Sequence, residues 1–279
     1  MNNYVVGIPT RGRMDMLYQT VQAFLDQTLP PTLILVIDNN DKFGKLSNSL
    51  DKISSKYITK VLDLPNEFKC LSDACGSQTA LEYFTILASN PQFAVKWDDD
   101  LVPEPNCMEQ LMTLMKSPGK IAAAGGCYPK PGDDRLVKWA NPGGESAKAK
   151  VPDGDPRHIQ FWQWDSTDII LRTDNLYSSF MYRVDCANLI GGFCTEYSQH
   201  SFRHETDFSM RMGQVGPLLV TPLAVARHHW ESFGGTRDIK GDEKLKMLEH
   251  DNELFIQRME MFGIFKKEKN DAEKAQADA

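Results

Sequence analysis

Phe93-Ala94-Val95-Lys96-Trp97-Asp98-Asp99-Asp100-Leu101-Val102-Pro103-Glu104-Pro105 is the stretch on which the reading of this chain turns. Apolar residues run directly into three consecutive carboxylates, and apolar, proline-rich sequence follows them. Like charges packed this closely repel one another unless water, a cation or protonation relieves them. With apolar sequence on both sides, the acidic cluster reads as the tip of a buried strand and not as part of a solvated helix. In an open α/β sheet, ligands gather at the carboxyl ends of the strands. An acidic strand end there can hold Mg²⁺ or Mn²⁺ against a diphosphate, which supplies further oxygen ligands. The plainer alternative is an acidic turn that keeps a sheet edge soluble.

Upstream, Tyr4-Val5-Val6-Gly7-Ile8 is a β-rich run ended by Pro9, and Leu33-Ile34-Leu35-Val36-Ile37 is a fully apolar one ended by Asp38-Asn39-Asn40. Both have the composition of interior parallel strands. Between them Met14, Leu17, Val21, Phe24 and Leu25 recur at helical spacing, and Pro30-Pro31 stops the helix. This is a βαβ unit, whose crossover should be right-handed. Ile58 to Leu62 is a further strand candidate, Leu71 to Leu87 a helix, and Phe93 to Trp97 the strand that carries the acidic cluster. The alternation predicts a doubly wound α/β half with Thr10, Asp38 and Asp98 to Asp100 all at strand carboxyl ends.

Downstream the character changes. Tyr128 to Asp165 is rich in Pro, Gly and charge, which suggests a long excursion or a decorated hairpin. Phe161, Trp162 and Trp164 alternate with polar residues as on a half-buried strand. Ser178 to Arg183 is another strand candidate, followed by Ala187 to Ile190 and the turn Gly191-Gly192-Phe193. Beyond His204 to Arg211, Leu218-Leu219-Val220 and Ala224-Val225-Ala226 read as two late strands leading into Arg227-His228-His229-Trp230. Lys266 to Ala279 mixes both charges with alanine, the pattern of a frayed helix or disorder.

The chain has 279 residues, 41% hydrophobic and 25% charged, which is ordinary globular material. It contains no apolar run of about 18 residues and no basic region followed by an apolar one at its start, so a cytoplasmic protein without an integral membrane segment is expected. The six cysteines show no CxxC and no paired metal spacing, and reduced, interior thiols are expected. A net charge of -7 argues against a surface built mainly to hold polyanions. A local basic stretch, Lys130, Arg135, Lys138, Lys148, Lys150 and Arg157, is diluted by Asp133, Asp134, Asp153 and Asp155 and reads as a mixed-charge loop.

Ile8-Pro9-Thr10-Arg11-Gly12-Arg13, then Val36-Ile37-Asp38-Asn39, then Asp98-Asp99-Asp100-Leu101-Val102-Pro103, in that order, resembles the nucleotide-sugar-binding half of inverting GT-A glycosyltransferases of the family-two type. Gly191-Gly192-Phe193 and Glu205-Thr206-Asp207-Phe208-Ser209-Met210-Arg211 look like that family's Gly-Gly-Phe turn and acidic catalytic motif. The resemblance implies a Rossmann-like, mostly parallel central sheet with helices on both faces and a smaller acceptor-side sheet. It divides the chain into a nucleotide-sugar-binding half (1–127), an acceptor-binding and catalytic half with a lid loop (128–240), and a C-terminal helix and tail (241–279).

The resemblance also implies roles. Pro9, Thr10, Arg11 and Arg13 would lie against the nucleotide, and Asp38 would accept a hydrogen bond from the base, commonly uracil. Asp98, Asp99 and Asp100 would form the acidic motif, with Asp98 toward ribose and metal and Asp100 as the direct metal ligand. Glu205 would be the general base and Asp207 a supporting carboxylate, although the family's usual Glu-Asp is replaced here by His204-Glu205, so the choice between Glu205 and Asp207 stays open. His228 or His229 would complete the metal site, which favours Mn²⁺ over Mg²⁺. Arg237 or Lys240, after the glycine-containing Ser232 to Thr236, would reach the diphosphate when the loop closes.

The implied activity is metal-dependent, inverting transfer from a nucleoside-diphosphate sugar, a UDP-sugar first, to an acceptor hydroxyl, a saccharide first. Transfer to hydroxymethylated pyrimidine in DNA, as in phage-type enzymes, is the alternative acceptor, with the basic stretch as its support. Nucleotidyl transfer would need more glycine near the first strand than Arg11-Gly12-Arg13 offers, and a non-catalytic nucleotide-sugar-binding module would leave the donor intact. Phe161, Trp162, Trp164, Tyr197 and Trp230 are candidates for an acceptor platform, since sugar and base rings stack on aromatics.

Overall fold

The first strand, β1 (Tyr4–Thr10), is buried along its whole length in the computed structural model, which describes residues 4–39, 58–63, 72–86, 91–129, 170–176, 178–229 and 235–265. It lies between β2 (Leu33–Asp38) and β4 (Phe93–Lys96), and β3 (Ile58–Asp63) extends the sheet beyond β2. All four strands run parallel, with Val5 opposite Leu33 and Ala94, and Thr10 opposite Asp38. The side-chain period of two then splits β1 between two cores. Val6 and Ile8 pack with Leu17, Val21 and Phe24 of α1 (Met14–Leu25), whereas Val5 packs with Leu35, Ala80, Leu81 and Phe84, the last three on α2 (Asp73–Ile86). One helix on each face is the doubly wound arrangement that the apolar runs imply.

The sheet continues with mixed direction. β8 (Phe180–Arg183) is antiparallel to both β4 and β6 (Ala123–Cys127), and β6 is parallel to β9 (Leu218–His228). β9 also pairs antiparallel with β7 (Leu171–Thr173) near its start and with β5 (Leu101–Pro103) near its end. Helix α3 (Cys107–Met115) follows β5, and its Leu111, Met112 and Met115 join the α1-side core. α4 (Val184–Leu189) and α5 (His204–Met212) follow β8, and α6 (Gly241–Met261) closes the described chain.

Two expectations change, the number of late strands and the state of one cysteine. The two late strands are one: between Gly125↔Val220 and Cys127↔Val225 the register shifts, so Pro222 falls in an irregular stretch where the missing N–H breaks no regular ladder. Gly126 lies in that shift, where an added Cβ would stand 2.1 Å from the Ala224 carbonyl oxygen. Ala187 to Leu189 belongs to α4. Cys107, Cys127, Cys186 and Cys194 are buried thiols outside any disulfide, as expected, but Cys75 is disulfide-bonded. The basic stretch, the aromatic run Phe161 to Trp164, Trp230 and the charged tail lie outside the described residues.

Candidate active site

The carboxyl ends of the parallel strands open into a cavity of about 360 Å³, lined on one side by Pro9, Thr10, Arg11, Arg13 and the strand end Asp98 to Asp100, and on the other by the segment from Gln199 to Glu205. His228, Thr236 and Arg237 border it as well. β4 turns sharply into β5 through Asp98 to Leu101, and the fully buried Trp97 anchors that turn by donating its indole N–H to the Leu101 carbonyl at 2.6 Å.

The three aspartates have different partners. Asp99 is fully buried and holds the loop after β1: it accepts from Thr10 Oγ1 at 2.6 Å and pairs with Arg13 at 2.6 Å. Burial pushes its carboxyl up to about 7, with Arg13 and Thr10 pulling the other way and Asp100 adding like-charge repulsion. Asp99 therefore borders the cavity with its carboxylate already engaged by Thr10 and Arg13. Asp100 Oδ2 accepts from Arg13 (2.6 Å) and Arg237 (3.1 Å), and Oδ1 stands 3.5 Å from His228 Nε2. Burial opposes its charge, but the histidine contact and the two guanidiniums hold Asp100 below the usual carboxylate range. Asp98 Oδ1 lies 2.5 Å from Lys96 Nζ.

Asp100 and His228 are one pair that could hold a divalent cation. Their 3.5 Å separation exceeds the ~2.7–2.9 Å of a charge-assisted hydrogen bond and is within reach of two ligands each about 2.1 Å from one ion. His228 is 4% exposed and lines the cavity; His229 does not, and it donates its backbone N–H to the Asp100 carbonyl at 3.0 Å. Asp98 sits beside this pair, engaged by lysine.

Glu205, in the first turn of α5, lines the same cavity and shares Lys96 with Asp98. Its Oε1 lies 3.0 Å from Lys96 Nζ and its Oε2 2.9 Å from His204 Nδ1. Asp73, at the start of α2, completes the group through Lys96 (2.9 Å) and His204 Nε2 (2.9 Å). Burial favours a neutral imidazole, but Glu205 and Asp73 outweigh it and raise His204 to about 10, so both ring nitrogens carry hydrogen at neutral pH. Burial likewise works against the Glu205 carboxylate, and His204 and Lys96 hold it below its ordinary value nonetheless. His204 thus stands between two carboxylates, Glu205 beside it in α5 and Asp73 from another helix. Asp73, His204 and Glu205 are also spaced as a cation site, and Lys96 supplies that cation.

Asp207 is not brought to the cavity. It is fully buried, accepting from Arg211 Nε and Arg258 Nε at 2.5 Å each and from Tyr197 at 3.1 Å. Arg211 in turn donates to the carbonyls of Ile190 (2.7 Å) and Gly192 (2.8 Å), and Phe193 stacks on Phe208 at 3.8 Å. Gly192 has φ +74° and no room for a Cβ, which would meet Gln78 at 2.3 Å. The Gly-Gly-Phe turn and the Asp207–Arg211 pair are therefore one packing unit beneath Glu205. Tyr197, bonded to Asp207 and buried, offers no stacking face, while Phe202 does line the cavity. Asp38 is buried beside Thr10, and its neighbour Asn39 lines the cavity in its place, with its Oδ1 buried and, among the described residues, without a hydrogen-bond partner.

The loop from Ser198 to Arg203 brings Gln199, Phe202 and Arg203 to the cavity. Arg203 and Ser201 have φ of 74° and 54°, outside the usual range for such side chains. Gln199, with its amide oxygen turned toward Arg11, accepts from that guanidinium at 2.6 and 3.1 Å and joins the two walls.

Sequence reasoning missed Lys96, Asp73, Gln199, Phe202 and Arg203. Only Lys96 carried a signal: a lone lysine between Val95 and Trp97 in a buried strand must be paired.

The profile of the family described as Glycosyl transferase family 2 matches residues 5–177. No curated protein sequence matches significantly. Among solved structures, S. aureus TarS (residues 1-349) is similar with a TM-score of 0.58 at 11% identity, over 93% of this chain and 72% of that one. A mannosyltransferase from Pyrobaculum calidifontis, in complex with GDP-Man and Mn²⁺, gives 0.57 at 14% identity over 92% and 72%. GalNAc-T7 with UDP, GalNAc and Mn²⁺ gives 0.63 at 13% identity, over 92% of this chain but 47% of its own.

Proposed function

Since the chain belongs to glycosyl transferase family 2 and has the GT-A fold, we propose that it is a metal-dependent, inverting glycosyltransferase that moves a sugar from a UDP-sugar to an acceptor hydroxyl, a saccharide in the first instance. The observation that carries this reading is one cavity with two unlike carboxylate sites: Asp100 among Arg13, Arg237 and His228, and Glu205 between Lys96 and His204.

A single displacement at an anomeric carbon needs its leaving group stabilised on one side and a proton acceptor on the other. Arg13 and Arg237, already within hydrogen-bond distance of Asp100, offer guanidiniums to a diphosphate. Asp100 and His228 are the residues to hold a divalent ion, which when bound neutralises negative charge on a departing diphosphate. Mn²⁺ accompanies nucleotide or sugar in two of the similar structures, and that supports the choice of metal. Glu205 is the proton acceptor. Its carboxylate has about four lone-pair sites, so the contacts with Lys96 and His204 leave room for an acceptor hydroxyl. Such a base contributes roughly 10²- to 10⁴-fold in rate.

Among the described residues no helix is long and apolar enough to cross a membrane. Release of UDP from UDP-glucose, UDP-galactose and UDP-N-acetylglucosamine, with Mn²⁺ or with EDTA, tests the reading. Mn²⁺-dependent release with at least one donor is expected; binding of UDP and Mn²⁺ without any turnover, with and without oligosaccharide acceptors, would make the chain a binding module.

A further inference from the structure

A lysine ammonium is compact and strongly hydrated, and burying it is costly unless several acceptors surround it. Lys96 is 2% exposed, on a strand whose other members, Phe93, Ala94 and Val95, are apolar and fully or almost fully buried. Its Nζ stands 2.5 Å from Asp98, 2.9 Å from Asp73 and 3.0 Å from Glu205. An ammonium has three donors, and here each meets a carboxylate from a different element: the end of β4, the first turn of α2 and the first turn of α5. His204 closes the ring between Asp73 and Glu205. Without the lysine, three carboxylates would converge on one point with only His204 against them.

We propose that Lys96 is a positioning residue of the transfer reaction, holding the Glu205 carboxylate and the Asp98 strand end together as one unit from behind the cavity lining. The proposal rests on Glu205 as proton acceptor. Asp98 belongs to the donor end of the site and Glu205 to the acceptor end, so the ammonium sets the distance between base and donor. Proximity is costly to lose: a misplacement of about 1 Å can cost roughly 10²-fold in rate. An apolar side chain of the same length would fill the strand equally well but would let the carboxylates repel one another and turn away.

The test compares K96M, K96M/D73N and K96A with wild type in UDP-sugar turnover, using the most active donor of the three above, alongside melting temperature and UDP/Mn²⁺ affinity. The double variant removes one positive and one negative charge together, which keeps a folded protein available should K96M alone not fold. The expected result is a kcat lower by roughly 10²-fold in K96M/D73N, with UDP affinity changed far less, and recovery of K96A turnover by ethylammonium but not by sodium at equal ionic strength. A folded K96M/D73N with wild-type kcat, beside an inactive E205Q, would overturn the proposal alone. E205Q as active as wild type would remove the reading of Glu205 on which it rests, and the proposal with it.

Discussion

The carboxylate of Asp251, on α6, accepts from the backbone N–H of Phe202 at 2.7 Å. The same side chain accepts from Ser198 N (2.7 Å) and Ser198 Oγ (2.8 Å), and it is fully buried. The last helix therefore grips both ends of the loop that carries Gln199, Phe202 and Arg203 to the cavity, and it restrains the two positive-φ residues between and after those anchors. D251A should lower stability by about 1–3 kcal/mol, the cost of leaving buried donors unpaired, and should raise the acceptor KM more than the donor KM. Denaturant melts and two-substrate kinetics measure these separately, and an unchanged acceptor KM would show that the loop is not part of the acceptor site.

Glu205 and Asp207 are two residues apart and should fail differently. E205Q should stay folded with a lowered melting temperature, since Lys96 and His204 keep Asp73 but lose one carboxylate, and should keep UDP affinity while losing roughly 10²- to 10⁴-fold in turnover. D207A leaves the buried Arg211 without its carboxylate and should cost about 3–5 kcal/mol of stability. Paired unfolding and rate measurements on both variants decide the assignment; a stable, inactive D207A would exchange the roles.

His204 gives stability a pH signature. Its value is raised from about 6.5 to about 10 by Glu205 and Asp73 against burial. A histidine raised on folding contributes stability that is fully present below its unfolded value and lost as pH climbs through the folded one. Wild type should lose stability between about pH 6.5 and 10, on the order of a few kcal/mol, and H204Q should lose less over that window. Melting temperatures recorded at steps from pH 6 to 10.5 test this; parallel curves for the two proteins would contradict it.

The two adjacent histidines separate the metal assignment. H228A should weaken Mn²⁺ binding by at least the roughly 10- to 100-fold that even outer-shell losses cost, while H229A, whose structural contact here is made by its backbone, should bind as wild type does. Manganese titration followed by electron paramagnetic resonance distinguishes them.

The apolar runs Tyr4 to Ile8 and Leu33 to Ile37 marked the parallel half because strands covered on both faces have to be apolar throughout. The acidic cluster was legible for the same reason: charge at the end of such a strand is costly without compensation. The division of labour within it was not, since which aspartate turns inward toward Thr10 and Arg13 depends on the turn geometry from Asp98 to Leu101. Leu218 to Val220 and Ala224 to Ala226 read as two strands where one strand with an irregular stretch at Pro222 exists. Asp73 and Asp251 lay on helices among other polar residues, where a buried carboxylate and a solvated one have the same sequence appearance until the partner element is known.

Release of UDP from a UDP-sugar by wild type and D100N, each with Mn²⁺ and with EDTA, addresses the central claim most directly. The account predicts turnover by wild type that requires Mn²⁺ and falls in D100N by roughly 10²-fold or more, with the variant still folded. Turnover that persists in EDTA, or a D100N variant that matches wild type, would contradict a cation held at Asp100 and His228.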